Sequence, residues 1–215
     1  MGGIDRWVCL DVGETLIDET RIWGTWADVL GVPRLTFFAA LGAVVLGQRD
    51  HREVLEWFGG PAWRDRSSEV ETRYGGFQAE DLYPDALRTI EALRGAGYRV
   101  AVLANQPAVR HMQLEALGVR PDLMAMSEEL GVHKPDPAFF RRAFELMGDP
   151  DPADVAYVGD RIDNDLRPAR AAGMRAVWIR RGPWGVLHED RDGSAHLTVR
   201  TLDELVERIG EAWTG

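Results

Sequence analysis

The first apolar run of the chain ends on an acid, and this feature constrains the fold more than any other. Residues 6 to 11 read as a strand, and its unbroken apolar side chains favour a position buried in a parallel sheet. Asp11 closes the run, and Gly13 follows where a glycine allows close approach to the backbone. Ligands of open α/β sheets bind outside the carboxyl ends of the strands. Asp11 is therefore a candidate for chemistry, with turn capping as the alternative.

After Pro84 the pattern alternates between strand and helix. The predicted strands cover residues 98–104, 123–126, 155–159, 175–179 and, more weakly, 197–199. The predicted helices cover residues 85–94, 107–117, 137–147, 164–172 and 202–212, whereas residues 182–194 read as an irregular surface loop. Strands separated by helices indicate crossover connections and a parallel sheet covered on both faces. We predict an α/β fold with a Rossmann-like sheet.

Between the first strand and Gly76 the sequence has only helical periodicity. Four of the eight tryptophans lie in this stretch, namely Trp23, Trp26, Trp57 and Trp63. Aromatic side chains at helical spacing indicate the core of a helical bundle, and secondarily a roof over a substrate. We predict that residues 18–77 form a helical cap and that residues 1–17 and 78–215 form the core.

Composition argues against several classes of partner, covalent cross-link and location. The chain has 215 residues, 45% of them hydrophobic, and a formal net charge of −10, which does not favour binding to nucleic acid or anionic membranes. Cys9 is the only cysteine, so a disulfide framework or cysteine metal cluster is excluded. No leader pattern and no apolar run of membrane-spanning length is present. We expect a cytoplasmic protein.

Three of the apolar runs end on a polar residue. These residues are Asp11, Asn105 and Asp160, and strands of a doubly wound sheet would bring them to one crevice. Lys134 lies between the second and third of them, and it is the only lysine among 25 basic residues. An ammonium is a compact point charge that contacts a single oxygen where the planar guanidinium would not fit. We expect Lys134 to enter the same crevice, the alternative being a solvated surface position.

A second cluster of acids follows the third of these strands. The segment Gly159–Asp165 carries acids at positions 160, 163 and 165. Neighbouring carboxylates repel one another unless a cation neutralises them, and an oxygen-only ligand set favours Mg²⁺. The alternative is helix N-capping by Asp163 or Asn164. With Mg²⁺ and Lys134 neutralising phosphoryl oxygens, the Asp11 carboxylate could attack phosphorus, and water could then hydrolyse the aspartyl intermediate.

Four motifs carry a resemblance to a known family. They are residues 11–16 (DVGETL), 102–105 (VLAN), 133–137 (HKPDP) and 159–165 (GDRIDND). In this order they resemble the haloacid dehalogenase-like hydrolase superfamily, and the helical insert resembles the cap of its phosphatase and phosphoglucomutase-like branch. The resemblance covers nearly the whole chain.

The resemblance implies a role for each matching residue. Asp11 would be the nucleophile, and Mg²⁺ would contact Asp11, the backbone carbonyl of Gly13 and Asp160. Asp165 would support the metal or Lys134. Lys134 would steady the nucleophile and the phosphate, and Asn105 would hold the transferring group.

Two positions depart from the pattern of the family. Gly13 stands where its phosphatases place an aspartate that protonates the leaving group and then activates water. Glu14, Asp18 or water could replace that general acid/base, whose contribution is typically about 10²- to 10⁴-fold. Ala104 stands where Ser or Thr is usual, so one hydrogen bond to phosphate is lost.

The main hypothesis is a Mg²⁺-dependent phosphatase acting on a small phosphorylated metabolite. One alternative is a non-catalytic member that binds Mg²⁺ and a phosphorylated ligand or protein, favoured by Gly13 and Ala104. The other is metal-free dehalogenation of a haloacid. Either a monomer or a homodimer is compatible with the sequence. The candidates for substrate selection in the cap are Arg21, Trp23, Trp26, Arg49 and His51.

Overall fold

The computed structural model describes residues 5–214, and its centre is a parallel sheet of six strands. The strands are β1 (Trp7–Leu10), β2 (Arg99–Ala104), β3 (Leu123–Met126), β4 (Val155–Gly159), β5 (Arg175–Ile179) and β6 (Leu197–Val199). They lie in the order β3-β2-β1-β4-β5-β6, the Rossmann-like order in which the direction of winding reverses beside β1. The predicted fold class and the predicted strands are confirmed. Residues 1–4 and 215 of the predicted core lie outside the described residues.

Helices connect the strands and cover the sheet. They are α1 (Thr20–Val29), α2 (Arg34–Leu46), α3 (Glu53–Gly59), α4 (Ser67–Tyr74), α5 (Ala86–Gly95), α6 (Val109–Ala116), α7 (Ser127–Leu130), α8 (Pro137–Met147), α9 (Arg167–Ala171), α10 (Gly182–Leu187) and α11 (Leu202–Arg208). Tighter turns adjoin two of the helices, a 3₁₀ turn at Gly60–Arg66 before α4 and another at Ile209–Trp213 after α11. A π turn, Ile162–Leu166, precedes α9.

The sheet is buried on both faces, as its apolar strands predict. In β1, Val8 and Leu10 belong to the hydrophobic cluster of one face, and Trp7 and Cys9 belong to that of the other. This division follows from the alternation of side chains along a strand. The first face packs against α5, α6 and α11, and the second packs against α8 and α9.

The register of the sheet brings the ends of its central strands level. Leu10 is paired with Val102 of β2 on one side and with Val158 of β4 on the other. The backbone N–H of Asp11 continues this ladder by donating to the carbonyl of Val158 at 2.9 Å. Asp11 and Asp160 therefore leave neighbouring strands at the same edge, beside the reversal of strand order.

The segment between β1 and α5 is helical and has its own hydrophobic cluster. Trp23, Phe37 and Trp63 are buried in this cluster, which also contains Trp184 from α10. Trp57 is an exception among the tryptophans predicted to form a bundle core, because 49% of its surface is exposed. The residue bounds that separate a cap from a core remain a prediction.

The interpretation of residues 182–194 as an irregular loop was wrong in its first half. Pro183 occupies the first turn of α10, where proline is tolerated because the missing N–H needs no partner. Trp184 of this helix packs against α2 and its neighbours. A helix of six residues is too short to show helical periodicity, and packing stabilises it.

Within residues 5–214, no single helix is long and apolar enough to cross a membrane, and α1 with α2 passes that test of length and composition only as a pair bent by 115°.

Candidate active site

Three carboxylates meet at the edge of the sheet that the sequence indicated. One oxygen each of Asp11, Asp160 and Asp165 lies within 4.8 Å of the other two. All three residues are at most 8% exposed. We call these three acids and Lys134 the carboxylate floor of the site.

Lys134 lies at the centre of the floor. Its Nζ atom is 3.0 Å from Asp11 Oδ1 and 2.6 Å from Asp165 Oδ1, and it donates to the Tyr157 hydroxyl at 2.8 Å. The hydroxyl of Tyr157 in turn donates to the carbonyl of Leu103 at 2.6 Å. An ammonium has three N–H donors, and these acceptors account for all of them. In this arrangement Lys134 holds the Asp11 carboxylate in place, whereas its predicted contact with phosphate stays a prediction.

The floor carries more negative than positive charge. Three carboxylates face one ammonium, and burial together with Asp165 and Asp11 raises the pKa of Asp160 well above its usual range. Burial also raises the pKa of Asp11 to about 6, against the lowering effect of Lys134. The Oδ2 atom of Asp160 is buried without a hydrogen-bond partner among the described residues. Such an orphaned oxygen beside two further carboxylates fits a divalent cation with oxygen ligands.

The local sequence after β4 explains how Asp165 reaches the floor. A Cβ atom on Gly159 would lie 2.5 Å from Asp165 Oδ2, so only glycine allows this approach. The π turn Ile162–Leu166 carries Asp165 back toward the strand end, and Asp165 Oδ2 accepts from the backbone N–H of Arg161 at 3.0 Å. Turns of this type are frequent at functional sites.

Asn105 lies at the end of β2, as predicted, and its side chain binds the backbone of Lys134. Its Oδ1 atom accepts from the Lys134 N–H at 2.7 Å, and its Nδ2 atom donates to the Lys134 carbonyl at 2.8 Å. These two bonds fix the loop that delivers the ammonium. One N–H of the amide is left, and Asn105 lines the pocket above the floor. Its predicted contact with a transferring group, and the Gly13 carbonyl as a metal ligand, remain predictions.

Of the two acids considered as replacements for the aspartate missing at position 13, Glu14 lines the pocket above the floor and Asp18 does not. Both oxygens of Glu14 are engaged, Oε1 by the backbone N–H of Glu19 and Oε2 by the hydroxyl of Tyr83 at 2.6 Å. Asp18 accepts from the backbone N–H of Thr20 and does not line the pocket above the floor.

A third acid, Glu19, does line that pocket. Its Oε2 atom accepts from the indole of Trp23 at 3.2 Å. Burial, followed by the charge of Glu14, raises the pKa of Glu19 to about 8.

The pocket above the floor is small and has an aromatic wall. Its volume is about 150 Å³, and the wall consists of Trp23, His51 and Trp184. The His51 ring lies edge-on to both indoles with centroid separations of 5.6 Å. Burial and the nearby charge of Arg161 lower the pKa of His51 to about 4, so this imidazole is neutral at physiological pH. A larger cavity of about 700 Å³ leads outward past Arg49 and Arg52.

The structure divides the cap residues proposed for substrate selection. Trp23 and His51 line the inner pocket, and Arg49 lines the outer cavity. Arg21 lines neither of these two pockets, and its guanidinium is bound to Asp81 and to the carbonyls of Tyr74 and Gly76. Trp26 also lines neither pocket and packs edge-on against Trp63.

Five residues that line the pocket were not among the site residues predicted from the sequence, namely Glu19, Gln106, Arg161, Asn164 and Trp184. Arg161 follows a predicted ligand directly, and its pairing with Asp163 at 2.7 Å was within reach of the sequence. Trp184 was hidden in the segment predicted as a loop. Glu19 gave no signal beyond an acid near the start of a helix.

Comparisons with known proteins agree with this architecture. The model of the haloacid dehalogenase-like hydrolase family matches residues 6–173. Phosphoserine phosphatase of Thermus thermophilus is 36% identical over 161 residues, which cover 74% of this chain and 63% of that protein. Glyceraldehyde 3-phosphate phosphatase of Methanocaldococcus jannaschii is 32% identical over 130 residues, which cover 59% and 56%. The matched regions thus span roughly three-fifths of the length of these two relatives.

A solved structure agrees over nearly the whole chain. The HAD phosphatase of Thermococcus onnurineus superposes with a TM-score of 0.63 at 24% identity, covering 96% of this chain and 98% of the other. At this identity the likeness concerns the fold alone. The family model includes the ends of β1, β2 and β4, where the floor is built, and from this match the chain belongs to the haloacid dehalogenase-like hydrolase family.

Proposed function

We propose that the protein is a Mg²⁺-dependent phosphatase that hydrolyses small phosphate monoesters through an aspartyl phosphate on Asp11. The observation that supports this most is the carboxylate floor, in which an excess of buried negative charge surrounds an orphaned oxygen of Asp160. Buried charges are stable only when they are paired or bind metal. The named phosphatases among the relatives support the same reaction class.

The donor set fits Mg²⁺ rather than a softer metal. Asp11 and Asp160 would hold the ion, Asp165 would support it, and the Gly13 carbonyl would complete the set. Bound there, Mg²⁺ would offset the charge of the floor and of the phosphoryl oxygens. Cys9 is buried inside β1, away from any role as a ligand.

The residues of the floor have distinct tasks. Lys134 and the metal would leave one oxygen of Asp11 free to attack phosphorus, and the ester oxygen departs as the aspartyl phosphate forms. Water then attacks that phosphorus, releasing inorganic phosphate and restoring the carboxylate. Positioning and charge neutralisation carry most of such a reaction. The aromatic wall would exclude bulk water and limit the substrate to a small ester.

The test is hydrolysis of a panel of phosphate monoesters, including p-nitrophenyl phosphate, with Mg²⁺ or with EDTA. We expect turnover that requires Mg²⁺ and that falls at least about 10³-fold in Asp11→Asn, because the amide is no nucleophile. The exposed variant Asp28→Asn is the matched control and should retain full activity. Turnover that EDTA does not affect would contradict the metal requirement, and halide release under those conditions would favour the dehalogenase.

A non-catalytic protein is the second candidate, favoured by Gly13 and Ala104 in place of polar side chains. Calorimetric Mg²⁺ binding without turnover of any ester would support it. A cytoplasmic location, a monomer or homodimer, and the lack of nucleic-acid and membrane partners remain predictions.

A further inference from the structure

Hydrolysis of an alkyl phosphate needs a proton donor and later a proton acceptor. The departing alkoxide must be protonated, and the attacking water must lose a proton. On the proposed function, on which this inference rests, Asp11 is the nucleophile, while Asp160 and Asp165 are committed to the metal and to Lys134. A further carboxyl group must serve the proton transfers.

Glu14 and Glu19 are the remaining carboxyl groups that line the inner pocket among the described residues. Glu14 is held on both oxygens, by Tyr83 and by the backbone of Glu19. Glu19 is held on one oxygen only, by Trp23, and its Oε1 atom accepts no hydrogen bond from the part of the chain that the structure describes. Of these two carboxyl groups, Glu19 is the one with an oxygen available to exchange a proton with a ligand.

The position of that oxygen relative to Gly13 is the second observation. A Cβ atom built on Gly13 would lie 2.6 Å from Glu19 Oε1 and 3.0 Å from Glu19 Cδ, and all of its nearest neighbours are carboxylate atoms of Glu19. The Glu19 carboxylate thus fills the volume that a side chain at position 13, two residues after Asp11, would occupy. The carboxylate of Glu19 and a side chain at position 13 could therefore not both be present without one of them moving.

We propose that Glu19 is the general acid and base of this enzyme, delivered from the start of α1 in place of a side chain at position 13. In the first step Asp11 bonds to phosphorus, the ester P–O bond breaks, and Glu19 gives its proton to the leaving oxygen. In the second step the oxygen of water bonds to phosphorus and the P–O bond to Asp11 breaks, while Glu19 takes the proton that the water loses. Each cycle returns Glu19 to its protonated form.

The substitution Glu19→Gln tests this role, because glutamine keeps the shape and an acceptor for the Trp23 indole. We expect kcat for alkyl phosphates to fall about 10²- to 10⁴-fold. With p-nitrophenyl phosphate the nitrophenolate leaves without a proton, so the variant should release a burst of about one nitrophenol per enzyme and then stall at the aspartyl phosphate. A residue with a merely structural role would produce no such burst.

Reciprocal replacement tests the spatial argument. Glu19→Ala should lose activity, and adding Gly13→Asp to it should restore at least about tenfold, because removing the carboxylate clears the space beside position 13. Glu56→Gln on the exposed surface of α3 is the matched control. Calorimetry should give the same Mg²⁺ affinity for Glu19→Gln as for the wild type.

The outcomes are separable. If the wild type turns over esters, Asp11→Asn abolishes turnover, and Glu19→Gln stays within threefold of the wild type for alkyl phosphates, the role of Glu19 is wrong while the phosphatase stands. Loss of activity without a burst and without rescue by Gly13→Asp also overturns it. A wild type with no turnover overturns both proposals.

Discussion

The floor and the wall of the pocket are built by different physical means. The floor consists of ionisable groups that are almost completely buried beside the strand ends, with Lys134 held by three acceptors. The wall consists of aromatic edges around a neutral imidazole. The floor can therefore stabilise charge, whereas the wall can only shape and dry the space above it. We therefore expect the floor to stabilise the charge of the reaction and the wall to limit the size of the substrate.

The largest effect on stability should come from the ammonium of the floor. Lys134→Met would leave its carboxylates buried without their cation, and we expect the free energy of unfolding at pH 7 to fall by about 3–5 kcal/mol. Urea denaturation measures this change. The matched control, Arg34→Met, removes an exposed ion pair with Asp28 and should hardly change stability. Equal effects of the two substitutions would contradict the account of a buried, paired ammonium.

Mg²⁺ should produce the next largest effect. At a concentration of 100 times its dissociation constant it should stabilise the wild type by about 2.7 kcal/mol. Asp160→Asn should abolish this gain. Because the folded protein raises the pKa of Asp160, an ionised carboxylate there opposes folding at neutral pH, so the variant should match or exceed the stability of the metal-free wild type. Thermal unfolding with Mg²⁺ and with EDTA measures both effects, and an Asp160→Asn protein still stabilised by Mg²⁺ would place the metal elsewhere.

The smallest effect should come from His51 in the wall. Its pKa of about 4 in the folded protein lies below its ordinary value of 6.5. The unfolded chain therefore binds the proton more readily, so stability is fully present above pH 6.5 and is lost as the pH falls toward 4. The wild type should lose about 1–2 kcal/mol more than His51→Asn over this range, after allowance for partial exposure. Parallel curves of unfolding free energy against pH would show that His51 is not buried neutral.

The sequence allowed the sheet and the floor to be predicted because local patterns encode them. The apolar runs around Val8 and Val155 match β1 and β4. Parallel strands place their carboxyl ends at one edge of the sheet. The acid that follows each of these two runs was therefore enough to predict that Asp11 and Asp160 lie close together. The solitary Lys134 was unusual enough in composition to be singled out.

The wall could not be predicted in the same way, because tertiary packing creates it. Trp184 reaches His51 from a helix too short to show periodicity in the sequence. Arg21 binds Asp81, sixty residues later in the chain, and no local pattern encodes that pairing. The contact of Glu19 with position 13 depends on the turn between them. Glu14 stabilises that turn because its side chain accepts a hydrogen bond from the backbone N–H of Glu19. Its own backbone has a left-handed conformation with φ of 51°.

The most direct test of the central claim is to identify the residue that carries the phosphoryl group during turnover. A phosphate ester labelled with ³²P would be mixed with the enzyme and Mg²⁺, quenched in acid within milliseconds, and the labelled peptide sequenced. We predict label on the peptide that contains Asp11, and none in Asp11→Asn or with EDTA. Steady turnover with the label on another residue, or on none, would contradict the account.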